Sequence, residues 1–237
     1  MLTRRLLQLF IGLFLYGFAD ALMIRAAVGV DPWTVFAQGL SHLTGIEIGW
    51  LTNLIGLAVL LLWIPLRQKP GMGTVFNILL VGTSIQAGLA LVGTPPELWQ
   101  RILMFTAGLL LLAVASGLYI GSRFGAGPRD GLMTGINART GLPIWIARTI
   151  VEVTVLAVGW LLGGDVGFGT LAFAILIGPL CGLTIPRLRV PEAGERGRGG
   201  IEAGAGAGAG AGVEAGAGAG AGGGAGGRVD EPAPAQA

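Results

Sequence analysis

Six stretches of this chain are each long and apolar enough to cross a bilayer, and they leave little room for any other architecture. A helix needs about 20 mostly apolar residues to span a hydrocarbon core of roughly 30 Å. Residues 6–26, 46–65, 72–92, 101–121, 142–162 and 168–186 all meet that requirement. Only 12% of the 237 residues are charged, against about one-quarter in an ordinary soluble domain. The first run follows Arg4 and Arg5, as a secretory signal would, but it is long and five more follow, so it reads as a retained span. The expectation is an all-α, multi-pass membrane protein whose surroundings are the lipid bilayer.

Arginine placement sets the expected orientation, because short cytoplasmic loops are enriched in Lys and Arg. With the N-terminus inside, the inner ends carry Arg4, Arg5, Arg67, Lys69, Arg123, Arg129, Arg139, Arg187 and Arg189, and the outer ends only Arg25 and Arg101. Both termini then lie in the cytoplasm. One lysine against fourteen arginines, with abundant Gly and Ala, suits a GC-rich bacterial genome, so the expected location is a bacterial inner membrane. The membrane domain, 1–190, holds 12 of the 15 basic and 7 of the 13 acidic residues, a balance of +5. The remainder, 191–237, holds 3 basic and 6 acidic groups and the tract "AGAGAGAGAGVEAGAGAGAGGGAGG". Such a tract has almost no side-chain surface to bury, and a disordered cytoplasmic tail is expected there.

The membrane part repeats itself. "GVDPWTVFAQGLSHLTG" at 29–45 and "GAGPRDGLMTGINARTG" at 125–141 share Gly29 with Gly125, Pro32 with Pro128, Gly39 with Gly135, Thr44 with Thr140 and Gly45 with Gly141, at an offset of 96. In the same register "GMGT" at 71–74, with Gly73 and Thr74, falls on "GFGT" at 167–170, with Gly169 and Thr170. Each unit, about 6–93 and about 101–189, holds three spans. An odd number of spans obliges the second unit to enter from the opposite side, which predicts inverted repeats, a common plan of secondary transporters.

Each unit also carries a short extra helix after its first span. Asp31 can cap one at 32–43 with Pro32 at its first position; Gly127 and Pro128 open the other at 128–139, with Asp130 in the first turn. Gly45 and Gly141 supply left-handed stops. Two placements are open: flat at the interface, where Trp33 suits the headgroups, or re-entrant, dipping toward the centre with Arg129 as a counter-charge.

Polar groups at membrane depth are the candidate functional residues. Arg148 and Glu152, four apart, share a face of the fifth span, and intramembrane charges normally face a partner or a water-filled cavity. Asp20 sits in the first span with Arg25 a turn and a half away. Asn53, Asn77 and Gln86 suit interhelical hydrogen bonds, and the Gly-x-Gly-Thr tetrads suit close helix packing. Cys181, the single cysteine, reads as a small buried hydrophobe, and His42 as an interfacial or capping residue. The sequence lacks HExxH, Cys-x-x-Cys, a phosphate-binding loop and any basic, aromatic-interleaved patch, so no enzyme activity, metal, cofactor or nucleic-acid partner is expected.

"GAGPRDGLMTG", then "RTIVE" in the next span, "LLGGDVGFGT" and "IGP" in the last, resemble the bacterial YczE-like membrane proteins, grouped with YitT and YyaS proteins. The resemblance covers residues 4–189. It implies the membrane architecture and the importance of Pro128, Arg129, Asp130, Arg148 and Glu152, and carries no substrate or reaction with it. The leading expectation is a small-solute or ion transporter with its pathway at the repeat interface, Arg129 and Arg148 contacting an anion and Asp130 and Glu152 pairing with them or carrying protons, with Asp20 as a further pathway residue. The alternative is a non-transporting accessory protein that stabilises or regulates a partner membrane protein; self-association into a homo-oligomer is open under either.

Overall fold

The computed structural model describes residues 2–190, and the Gly/Ala tract expected to be a disordered tail lies outside the described residues. Within them the chain forms eight α-helices and no strand: α1 Leu2–Ala26, α2 Pro32–Thr44, α3 Ile48–Leu66, α4 Met72–Leu91, α5 Leu98–Gly121, α6 Pro128–Thr140, α7 Ile144–Leu161 and α8 Phe168–Leu188. Six of them, all but α2 and α6, are long and apolar enough to cross a membrane. The expected spans thus all appear, with edges shifted by a few residues, and both short helices run one residue beyond their expected ends.

Helices α5 to α8 each begin 96 residues after the corresponding member of α1 to α4. Local geometry follows the same offset. Asp31 caps α2 with one carboxylate oxygen, accepting from Trp33 N at 3.1 Å and Thr34 N at 3.2 Å. Its counterpart Gly127 opens α6 with the same extended backbone and no side-chain cap. Gly45 and Gly141 both stop their helices at φ 72°, a left-handed conformation that glycine adopts without a Cβ clash.

The halves are joined by reciprocal contacts. Gly73 N donates to Phe124 O at 2.9 Å, and its equivalent Gly169 N donates to Val28 O, the equivalent carbonyl, at 2.7 Å. Each of α4 and α8 therefore starts against the chain break of the other half. Thr74 and Thr170 accept from the N–H groups of Gly71 and Gly167 through Oγ1 at 3.2 and 3.3 Å, so the Gly-x-Gly-Thr tetrads are helix caps as well as close-packing sites. At the centre α1 packs along α5. Gly12 lets α1 approach Tyr119, and its equivalent Gly108 lets α5 approach Met23, the equivalent of Tyr119.

One packing is not shared. Helix α3 lies against α4, where Gly82 abuts the Gly49 carbonyl and Asn53. Helices α7 and α8 scarcely touch, and Gly178, the equivalent of Gly82, faces open space. Trp145 stands where Gly49 stands in the first half, and its bulk prevents the backbone approach that two glycines allow. Gly82→Ala is expected to cost about 1–3 kcal/mol through overpacking. Gly178→Ala, which meets nothing, should stay within about 0.5 kcal/mol of the native protein. Thermal unfolding of both variants in one detergent checks the contrast.

Candidate functional site

A cavity of about 330 Å³ lies among the helices, and all eight contribute to its wall, with Asp31 at the N-cap of α2. The short helices deliver its charges. In α2 the first turn is buried, in α6 it is buried or half-buried, and in both the last turn is exposed, the gradient of a helix that enters the bundle by its N-terminus. Trp33 is 6% exposed and lines the cavity, so its ring faces the protein interior.

The cavity brings together most of the residues expected from the sequence. Arg129, from the second half, pairs with Asp31, from the first, at 3.5 Å, and its guanidinium lies over the Trp33 ring, 5.1 Å from the centroid. Asp130 accepts a hydrogen bond from the Tyr119 hydroxyl at 2.9 Å. On α7, Arg148 and Glu152 pair at 3.0 Å, as their spacing required. Both arginines are thus engaged by carboxylates, a poor arrangement for the anion contacts expected of them. Asp20 is 1% exposed and neither of its oxygens has a hydrogen-bond partner. Arg25 does not reach it and donates instead to the Leu89 carbonyl. The repeat-related positions Gly29, Pro32, Gly125, Pro128, Gly73, Thr74, Gly169 and Thr170 build the breaks and helix starts. Among them only Pro32 and Pro128 reach the cavity wall, beside Asp31.

Three aromatic contributions escaped the sequence reading. Tyr16 and Tyr119, the only two tyrosines in the chain, both line the cavity with ring centroids 6.0 Å apart. Tyr16 lies well inside its span, away from the interfaces where tyrosine is common, and that position was the available signal. Trp63 donates to the Pro128 carbonyl at 3.0 Å and its ring fills the space left by Gly131, which fixes the first turn of α6. Cys181 is partly exposed and lines the cavity with Gly178 and Gly182, at the gap between α7 and α8, rather than lying in a packed core.

Eight helices, six of membrane-spanning length, around an internal charged cavity define a multi-pass helical membrane protein. Residues 3–186 match the family of unknown function DUF6198, and the chain belongs to that family. It is 39% identical over 170 residues to an uncharacterised protein of Haemophilus influenzae, which covers 72% of this chain and 78% of that protein. It is 32% identical over 180 residues to the uncharacterised membrane protein YczE of Bacillus subtilis, covering 75% and 84%. The uncharacterised protein YyaS of the same organism is 26% identical over 180 residues, covering 74% and 90%. The resemblance to YczE-like proteins read from the Gly-Pro-Arg-Asp-Gly motif is borne out. No solved structure matches the chain.

The single thiol offers a direct check on the cavity. A small water-soluble methanethiosulfonate is expected to label Cys181 in native membranes, and Gly182→Phe, which adds a ring to the cavity wall, should slow labelling by about tenfold or more, on the order of 1.4 kcal/mol of access. Equal labelling rates measured by mass spectrometry would mean that the cavity is not the route to the thiol.

Proposed function

We propose that this chain is a small-solute transporter of the bacterial inner membrane, built of two inverted repeats and carrying its substrate through the cavity between them. The observation that carries the reading is that one cavity is lined by charged and aromatic side chains from both halves, with an ion pair, Arg129 with Asp31, spanning the two. Intramembrane charges face such cavities where they serve a pathway, and midplane sites between repeats are the recurrent design of secondary transporters. The carrier is not an enzyme; it moves its solute unchanged.

Two further features support this reading. The reciprocal contacts of Gly12 with Tyr119 and Gly108 with Met23 suit halves related by a two-fold axis in the membrane plane. The unequal packing of α3 on α4 and α7 on α8 gives the halves different shapes, and a carrier alternates by exchanging such shapes between its repeats. In the proposed cycle α7 closes on α8 while α3 parts from α4, with the short helices entering the bilayer as re-entrant segments and both termini cytoplasmic. The closed ion pairs also suit the accessory reading, in which they act only as locks between helices.

Reconstitution in liposomes separates the two. Solute-driven uptake is expected for the native chain, and Arg129→Gln, which leaves Asp31 without its cation, should lower it by about tenfold or more, since leaving a buried charge unpaired costs on the order of 3–5 kcal/mol. Glu152→Gln is the companion variant. Unchanged flux there removes Glu152 from the pathway, and absence of flux from the native chain across a broad solute screen favours the accessory role.

A further inference from the structure

We propose that Asp20 is the counter-charge for a monovalent cation that the cavity takes up in exchange for a proton. The proposal rests on the transporter reading and names what such a carrier takes. It starts from the charges of the cavity wall. Three carboxylates, Asp31, Asp130 and Glu152, face two arginines there, and each arginine is engaged by one of them. The remaining Asp130 has its Tyr119 hydrogen bond. Asp20 stands just behind that wall, one helical turn from the cavity-lining Tyr16 on the same face of α1, and adds a further carboxyl group. The site therefore carries a surplus of negative charge and no unengaged positive one.

The orphaned oxygens say what that surplus requires. Both oxygens of Asp20 and the Oδ2 of Asp31 are buried with no hydrogen-bond partner. An ionised carboxylate can only accept, and a buried charge without a partner is strongly disfavoured. Asp20 must then hold a proton whenever no other cation is present. The charges that reach it are those of Asp31 and Arg129. Its neighbour Tyr16 on α1 interacts with Asp20 itself, with the capping Asp31 and with Arg129 and Asp130 of α6, and Tyr119 of α5 lines the same wall. Helix α4, packed on α1, carries no ionisable residue, α7 presents its own closed pair, and α8 adds to the cavity wall only the Cys181 thiol. Arginine stays protonated and holds Asp31 as its partner, which leaves Asp20 to change state.

The walls suit a cation as well. Trp33 already takes the Arg129 guanidinium on its face, and Tyr16 and Tyr119 present further rings, the surfaces that attract cations in desolvated sites. On binding, the Asp20 O–H bond breaks, the proton leaves to water, and the cation takes its place against the carboxylate. One positive charge replaces one, so the buried site keeps its net charge throughout.

Proton release from the purified full-length chain in detergent tests this without requiring transport. The chain is held in a weakly buffered medium with a pH dye, and sodium chloride is added in one arm and tetraethylammonium chloride in the other; the arm that responds tells an alkali ion from an organic cation. The native chain is expected to release about one proton per chain in at least one arm, Asp20→Glu to retain release, and Asp20→Asn to lose it. Release undiminished in Asp20→Asn, or none from the native chain in either arm, overturns the proposal. Infrared difference spectra of the native chain alone give a second measurement that no folding defect can obscure: the protonated-carboxyl band must fall when the responding cation is added, and an unchanged band overturns the assignment. Flux in liposomes without proton release defeats the cation exchange and leaves the transporter reading standing; proton release without flux does the reverse.

Discussion

Backbone groups at a helix break lose their ladder partners and have to find others, and in this chain that obligation falls on the two breaks after α1 and α5. The residues there take left-handed conformations, Ala27 at φ 51° and Arg123 at φ 59°, followed by Gly29 at 110° and Gly125 at 121°, so no helical ladder continues through them. The exposed carbonyls of Val28 and Phe124 are met by Gly169 N and Gly73 N from the opposite half, and Thr74 Oγ1 donates to the Ala126 carbonyl at 2.7 Å. Neither half can complete its own break. That exchange holds α4 and α8 in place, and with them the entry points of α2 and α6.

Because the breaks turn the short helices inward, the charged first turns of α2 and α6 meet each other rather than solvent. Asp31 does two things with one oxygen: it caps α2 and accepts from Arg129. The second half has Gly127 at the capping position and carries its charges two and three residues later, as Arg129 and Asp130. Divergence at this point sets an arginine of one half against the carboxylate of the other and gives the cavity a charged lining.

Much of the fold was legible because membrane spans are set by length and hydropathy, which a sequence carries directly. The repeat was legible too, through Gly45 and Gly141, Pro32 and Pro128, and the Gly-x-Gly-Thr tetrads, all residues whose backbone or capping role ties them to one place. The Arg148–Glu152 pair followed from helical spacing alone. What spacing does not carry is partnership across the bundle. Arg129 finds Asp31 from 98 residues away, and Trp63 finds the Pro128 carbonyl from 65 residues away; both depend on how the halves cross. The same reason hid the isolation of Asp20, since a residue's lack of partners is a property of everything around it.

The difference between the halves has a chemical cause that bears on the proposed function. Gly49, Asn53, Gly82 and Gln86 bring α3 and α4 together, and the equivalent positions hold Trp145, Thr149, Gly178 and Gly182. Two glycines on α8 face nothing, while the large residue sits on α7 with its side chain mostly exposed. Glycine at an unpacked helical position lowers helix stability by roughly 0.5–1 kcal/mol relative to alanine, so a permanently open α8 gains nothing from carrying two. Their presence is accounted for if α8 also adopts an arrangement in which α7 lies closer to it, at the wider separation that Trp145 allows. In the proposed carrier the glycines and the gap together give one helix pair two arrangements, and the wall between them holds Arg148, Glu152 and Cys181.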